Sequence, residues 1–355
     1  MSESKKEEVK DYYGKTLQKS EDLKTNACCT ALSYPDHIKS IMGKVHDEVM
    51  AKYYGCGLTI PHELEGLTVL DLGSGSGRDC YIVSALVGNN GKVIGVDMTD
   101  EQLEVANNHL DYHAKAFGHD KSNVTFLKGD IEKLNLLDLP ENSVDVVISN
   151  CVINLATDKH AVLKEVFRLL KPGGEMFFSD VYSDRKVPNH LVSDPVLYGE
   201  CLSGALYWND FINLSKEVGF RDPRLVESAP ITIMNKDVES KVGMIKFYSA
   251  TYRLFKIESL EPDCEDYGQA VIYKGTLNNN ENYFRLDENH IFPKGNVFKV
   301  CGNSFKMLKE SRFEKHFEFI GDQSTHYGIF QDCGKVLPFD ENPEEDDFSN
   351  KGSCC

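Results

Sequence analysis

The sequence predicts an α/β fold: a parallel sheet with helices on both faces, plus a smaller C-terminal α+β domain. Three observations carry this expectation. Short β-branched runs alternate with helical stretches from residue 66 onward. A glycine-rich turn joins the first run to the next helix. Past about residue 235 the alternation loosens.

Residues 1–65 read as an N-terminal helical cap, with helical patterns in DYYGKTLQ and HIKSIMGKVHDEVMAKYYGCG. The strand-like runs follow as TVLDL (68–72), KVIGVDM (92–98), NVTFLKG (123–129), VDVVISN (144–150) and EMFFSDV (175–181). Between them lie CYIVSALVG, DEQLEVANNHLDYHAKAFG and DKHAVLKEVFRLLKPGG, the last stopped by Lys-Pro-Gly-Gly. Strands spaced by helices of this length form βαβ units, hence a sheet covered on both faces. A helix over LYWNDFINLSKEVGF (206–220) and the extended RLVESAPITI complete a domain expected to span 66–232. In 233–340, KVGMIKFYSATYRLFKI reads as a helix or two strands, while QAVIYKGTL and NVFKVCG read as strands of a smaller sheet. The segment 341–355 is acidic, lacks apolar periodicity and is expected to be disordered.

The 355 residues are 41% apolar and 27% charged, enough for a core and a soluble surface. Acidic residues outnumber basic ones by 56 to 39, for a net charge of −17. That balance opposes nucleic-acid binding and an anionic membrane surface. The opening MSESKKEEVK has no apolar core of a secretory signal, and no run is long enough for a membrane span, so a cytosolic protein is expected.

Eleven cysteines in such a setting suggest metal binding, redox chemistry or catalysis. Zinc sites of the ribbon or finger type need short clips such as C-x₂₋₄-C, and a thioredoxin-like site needs C-x-x-C. The only close pairs here are vicinal, Cys28-Cys29 and Cys354-Cys355, so no permanently bound metal is expected.

The strongest local motif is Asp71-Leu72-Gly73-Ser74-Gly75-Ser76-Gly77, directly after the first strand and opening a helix. Glycines let the backbone turn tightly and approach a ligand. The dinucleotide pattern would need glycine at position 78, which is Arg78, and there is no P-loop. Asp97 ends the second strand, where a carboxylate accepts from ribose hydroxyls. This arrangement resembles the S-adenosylmethionine-dependent methyltransferases with a Rossmann-like fold. The resemblance implies that Asp97 holds the ribose and that Gly73, Ser74 and Gly75 pass beneath the methionine part. Asp71 and Gly77 complete the loop, and Met98, Asp130, Ile131 and Glu132 surround the adenine.

By the switch-point rule, ligands bind beyond the carboxyl ends of parallel strands, which puts Cys151 where the acceptor should sit. On position alone it is equally well a small buried hydrophobe. Four further segments, TNAC (25–28), YYGCG (53–57), SNCVINL (149–155) and GECLSGALYW (199–208), resemble the arsenite methyltransferases from near residue 10 to about residue 330. The resemblance places that family's functional cysteines on Cys28, Cys56, Cys151 and Cys201, with Cys29 an extra neighbour of Cys28. It implies S-adenosylmethionine as methyl donor, with arsenite and methylated trivalent arsenicals as substrates and glutathione or thioredoxin as reductant. Trivalent arsenic would be held by Cys56, Cys151 and Cys201, with the arsenic-binding segment around 182–220 and Cys28 pairing with Cys56 as electron source. Tyr54 and Asn150 would contact the cofactor. Thiolates select soft ions, which suits arsenic(III). A monomer is expected. Two other readings stay open: methylation of a small organic thiol, amine or hydroxyl, and a thiol-rich metalloid-binding or redox protein. Cys80, Cys264, Cys301 and Cys333 read as ordinary thiols, and Cys354-Cys355 as an ordinary pair or a chelator of a soft ion.

Overall fold

The computed structural model describes residues 2–12, 34–53, 59–331 and 333. Cys28, Cys29, Tyr54, Cys56, Cys354, Cys355 and the acidic 341–355 segment lie outside them.

Five apolar runs become parallel strands: β1 (Thr68–Leu72), β2 (Lys92–Asp97), β3 (Val124–Lys128), β4 (Val144–Asn150) and β5 (Leu170–Ser183). They line up as β3-β2-β1-β4-β5, so the chain reverses direction across the sheet between β1 and β4. Val146, Val147 and Ile148 of β4 are fully buried, as strands covered on both faces should be. One face packs Val69, Val93 and Val146 against Tyr81, Ile82 and Val83 of the helix Arg78–Val87. The other packs Leu70, Val147 and Phe178 against Val162, Leu163 and Val166 of the helix Lys159–Leu169.

The sheet is mixed rather than wholly parallel. The two-residue β6 (Leu206–Tyr207) pairs in parallel with the far end of β5. Beyond β5 lie β8 (Phe247–Phe255) and then β7 (Arg224–Pro230), both antiparallel to their neighbours. The segment open to a helix or two strands is therefore one nine-residue strand. It lies past residue 233, so the main sheet reaches into the segment expected to form the small domain. FYSATYRLF has a β-branched and aromatic bias, and eight of its nine residues are buried, which removes any polar/apolar alternation.

After β8 the chain builds a second core from rings. The strand Ala270–Tyr273 pairs antiparallel with Val297–Lys299 and Phe317–Ile320. Phe284, Phe313 and Phe317 pack beneath it, with ring centroids 4.8 and 5.6 Å apart around Phe284. Buried charge ties this region to the main sheet. Glu175 of β5 pairs with Arg253 of β8 at 2.8 Å and with Arg312 from the C-terminal region. Arg224 of β7 bonds Asp287 at 2.9 Å. Among the described residues no helix is long and apolar enough to cross a membrane.

Candidate active site

At the carboxyl ends of β1, β2 and β4 opens a cleft of about 990 Å³, open space at its mouth included. The glycine loop forms its floor. Gly73, Gly75 and Gly77 all adopt left-handed backbone, with φ of +69°, +51° and +88°. A Cβ on Gly73 would fall 2.4 Å from Val152, so this glycine is required by space as well as by angle. Gly77 plays a different part. It caps the helix Arg78–Val87 and packs toward Phe126 and Tyr81, away from the cleft lining.

Asp97 stands at the end of β2 and fastens the loop. Its carboxylate accepts from the Gly75 N–H at 2.9 Å and from the Thr99 N–H at 2.8 Å. Burial raises its pKa, while those two donors oppose the rise. Asp71 lies deeper, accepts from the Cys80 thiol at 3.2 Å, and is pushed up to about 8 by burial and by the neighbouring Asp79. Ser74 Oγ is buried with no partner among the described residues. An orphaned hydroxyl, an acid with lone pairs to spare and a bare glycine backbone suit a ligand carrying both a ribose and an amino-acid end.

Met98, Asp130, Ile131 and Glu132 line the opposite wall with Asn150 at the back. The helix Ser2–Asp11 lies across this wall, its Lys6 bonding Asp130 at 2.6 Å and Glu132 at 2.7 Å. Sequence reasoning missed Lys6, and it also missed a polar cluster behind Asn150. Asn150 Nδ2 donates to Tyr53 OH at 2.5 Å and to Asp79 Oδ2 at 3.3 Å. Arg78 stacks 3.2 Å from the Tyr53 ring centre and donates twice to Asp79, at 2.7 and 2.8 Å. One signal was available: an arginine in the first turn of a helix opposes the helix dipole, so it needs another reason to be there.

The cysteines arrive from the other side. Cys151 ends β4 and lines the cleft next to Val152. Cys201 follows the short helix Pro195–Gly199, and its thiol donates to the Cys151 carbonyl at 3.3 Å. They are 3% and 0% exposed. Both have left-handed backbone, φ +57° and +60°, which costs an L-residue roughly 1–2 kcal/mol. Two such residues in contact, one of them lining the cleft, mark a functional site. The Cys151 sulfur is disulfide-bonded. Beneath them Asp180 accepts from the Asn154 and Val181 N–H groups at 3.0 and 2.8 Å. Burial pushes Asp180 up to about 6 against those bonds and the charge of Lys159.

Residues 63–219 match the family model described as a methyltransferase domain, and residues 267–355 match the arsenite methyltransferase C-terminal domain. An arsenite methyltransferase of Aquipseudomonas alcaligenes is 57% identical over 98% of this chain and 99% of its own. The chain belongs to the arsenite methyltransferase family. A human arsenite methyltransferase is 48% identical over 87% of this chain and 82% of its own. The crystal structure of an arsenic(III) S-adenosylmethionine methyltransferase from Chlamydomonas reinhardtii superposes with a TM-score of 0.81 at 50% identity, covering 84% of this chain and all of the other. Membership of this family makes the chain an S-adenosylmethionine-dependent methyltransferase, and it accounts for a Rossmann-like sheet followed by a domain of small sheets.

Proposed function

We propose that this chain methylates arsenite and then methylarsonous acid, with Cys151 and Cys201 holding the arsenic through both steps. The carrying observation is convergence. Cys151 lines the same cleft as Asp97 and the Gly73–Gly75 turn, and Cys201 is bonded to its backbone.

S-adenosylmethionine, when bound, supplies an electrophilic sulfonium methyl. Asp97 would accept from its ribose hydroxyls, and the unpartnered Ser74 Oγ and the loop backbone would hold its amino-acid end. Met98, Ile131 and Glu132 would flank the adenine, with Asp130 toward its edge. Arsenic(III) bound to thiolates keeps a lone pair, which would take the methyl carbon as the C–S bond breaks and S-adenosylhomocysteine leaves with that electron pair, so no proton need be removed. The protein's work is then positioning, and two buried cysteines on rigid turns provide it. Cys56 is the third ligand for inorganic arsenite in this reading, and Tyr54 contacts the cofactor.

Transfer of a methyl cation leaves arsenic(V), which must regain two electrons. Cys28 and Cys56 supply them by forming a disulfide, which glutathione or thioredoxin then reduces. Cys151 is disulfide-bonded in this structure, so that bond must be reduced by the same thiol system before arsenic can bind its sulfur.

The test supplies purified protein with arsenite, S-adenosylmethionine and a glutathione or thioredoxin system, and separates the arsenic products. Methylated arsenicals are expected. Methylation of a small organic thiol or amine, with arsenite left unchanged, would overturn the proposal.

A further inference from the structure

Three cysteines stand far from the cleft and have no part in the chemistry above. Cys264 precedes the strand Glu265–Asp266, and Cys333 follows its antiparallel partner Gly328–Ile329. Cys301 is the N-cap of the helix Gly302–Lys309. Their three sulfurs lie within 4.8 Å of one another. Cys264 and Cys333, separated by 69 positions, are joined by a disulfide, and Cys301 is a free buried thiol beside them. Two donors already face the Cys301 sulfur: the Ser304 N–H at 3.5 Å and the Arg224 guanidinium at 3.8 Å. Hydrogen bonds of this kind orient and stabilise metal-bound thiolates.

We propose that Cys264, Cys301 and Cys333 form a second site for arsenic(III), open only when the Cys264–Cys333 bond is reduced. The donor chemistry selects the ion. Three thiolates complete the pyramid of arsenic(III), whereas a structural zinc site takes four protein ligands, and the cluster has no further His, Cys, Asp or Glu among the described residues. Closing the site takes two electrons out and opening it puts them back. Two equivalents of a small thiol such as glutathione reduce the protein disulfide and leave as their own disulfide. Arsenous acid then exchanges its three hydroxyls for the three thiols and releases three waters, with arsenic remaining trivalent. Cys264 and Cys333 are only partly buried, which gives reductant and arsenous acid a route in.

The experiment uses the full-length chain, with and without reductant, incubated with arsenite and freed of excess. Differential alkylation read by mass spectrometry then reports each thiol. In the reduced protein arsenite should shield the partly buried Cys264 and Cys333 relative to an arsenite-free control, and in the unreduced protein arsenite should change the labelling of none of the three cysteines. A parallel arm counts arsenic in a Cys151→Ser/Cys201→Ser background, which separates this site from the cleft. Adding Cys264→Ser and Cys301→Ser there, which leaves a single thiol at the site, should lower bound arsenic by about one ion per chain. Unchanged arsenic content, no arsenite-dependent shielding of Cys264 and Cys333 in the reduced protein, or zinc retained in place of arsenite would each overturn the proposal. The shielding arm needs no variant, so a poorly folding substitution does not leave the question open.

Discussion

The cleft and the C-terminal region treat buried acids in opposite ways. In the cleft burial dominates: Asp71 is driven to about 8 and Asp180 to about 6, and Asp97 is also raised. In the C-terminal region burial opposes, yet the His290 hydrogen bond and the Arg224 charge hold Asp287 at about 2. The same contrast runs through the backbone. Cys151 and Cys201 sit in left-handed conformations, while Cys301 occupies an ordinary N-cap at φ −71°. One region stores strain and unmet hydrogen-bonding capacity for a ligand to use. The other pairs its buried charges as ions, although Arg224 Nε and Arg253 Nη1 also lack hydrogen-bond partners among the described residues, and it holds the molecule together.

If that division is right, the two sets of cysteines should separate most sharply in activity. Cys151→Ser and Cys201→Ser are expected to reduce methylation of arsenite and of methylarsonous acid to background, whereas Cys301→Ser should retain it. Cys28→Ser and Cys56→Ser should spare methylarsonous acid while losing arsenite. Product speciation on the five variants checks this, and full arsenite turnover by Cys151→Ser would remove the cleft assignment.

The next largest effect belongs to the clamp between the regions. Glu175 is fully buried between Arg253 and Arg312, so Glu175→Gln leaves two guanidinium groups without their counter-charge. A loss of about 3–5 kcal/mol is expected. Urea unfolding measures it, and a change below about 1 kcal/mol would mean that the rings of the second core carry the junction instead.

How much of this division was legible in the sequence depended on how local each feature is. The five parallel strands and the glycine loop could be read because their signals lie within a few residues of each other. Asp97 could be placed because a βαβ unit fixes its distance from the loop. β8 was ambiguous because burial on both faces erases the alternation that distinguishes a strand. The Cys264, Cys301 and Cys333 cluster was invisible, since it depends on pairing between Glu265–Asp266 and Gly328–Ile329 across most of a domain. The Tyr53–Asn150–Asp79 contacts were hidden for the same reason: their members come from three separate segments, and although Tyr53 and Asn150 stood in motifs, nothing local brings those motifs together.

Two variants in the cleft sharpen the comparison at smaller scale. Gly73→Ala combines a left-handed φ with a contact 2.4 Å from Val152, and should cost about 2–4 kcal/mol of stability together with cofactor affinity. Asp97→Asn keeps the shape but removes the charge that accepts from Gly75, Thr99 and a ribose. S-adenosylmethionine binding by calorimetry should weaken about 10–100-fold, the worth of a charged hydrogen bond at about 1.5–3 kcal/mol.

The last prediction concerns pH, and here the two regions should show opposite signs. Asp71 has a folded pKa of about 8, well above its unfolded value of about 4. Between those values the unfolded chain binds fewer protons than the folded one, so stability falls as pH rises from about 4 to about 8. Asp287, at about 2, works the other way: its contribution is complete above about 4 and is lost as pH falls through about 2. Urea midpoints measured from pH 5 to 9 should therefore decline in the wild type, and the decline should flatten in Asp71→Asn. Asp287→Asn should keep the wild-type slope over that range while lowering stability throughout. If Asp71→Asn kept the full slope, Asp71 would not be the acid that opposes folding at high pH. The slope would then pass to Asp180, whose pKa of about 6 places its own loss lower, between about 4 and 6.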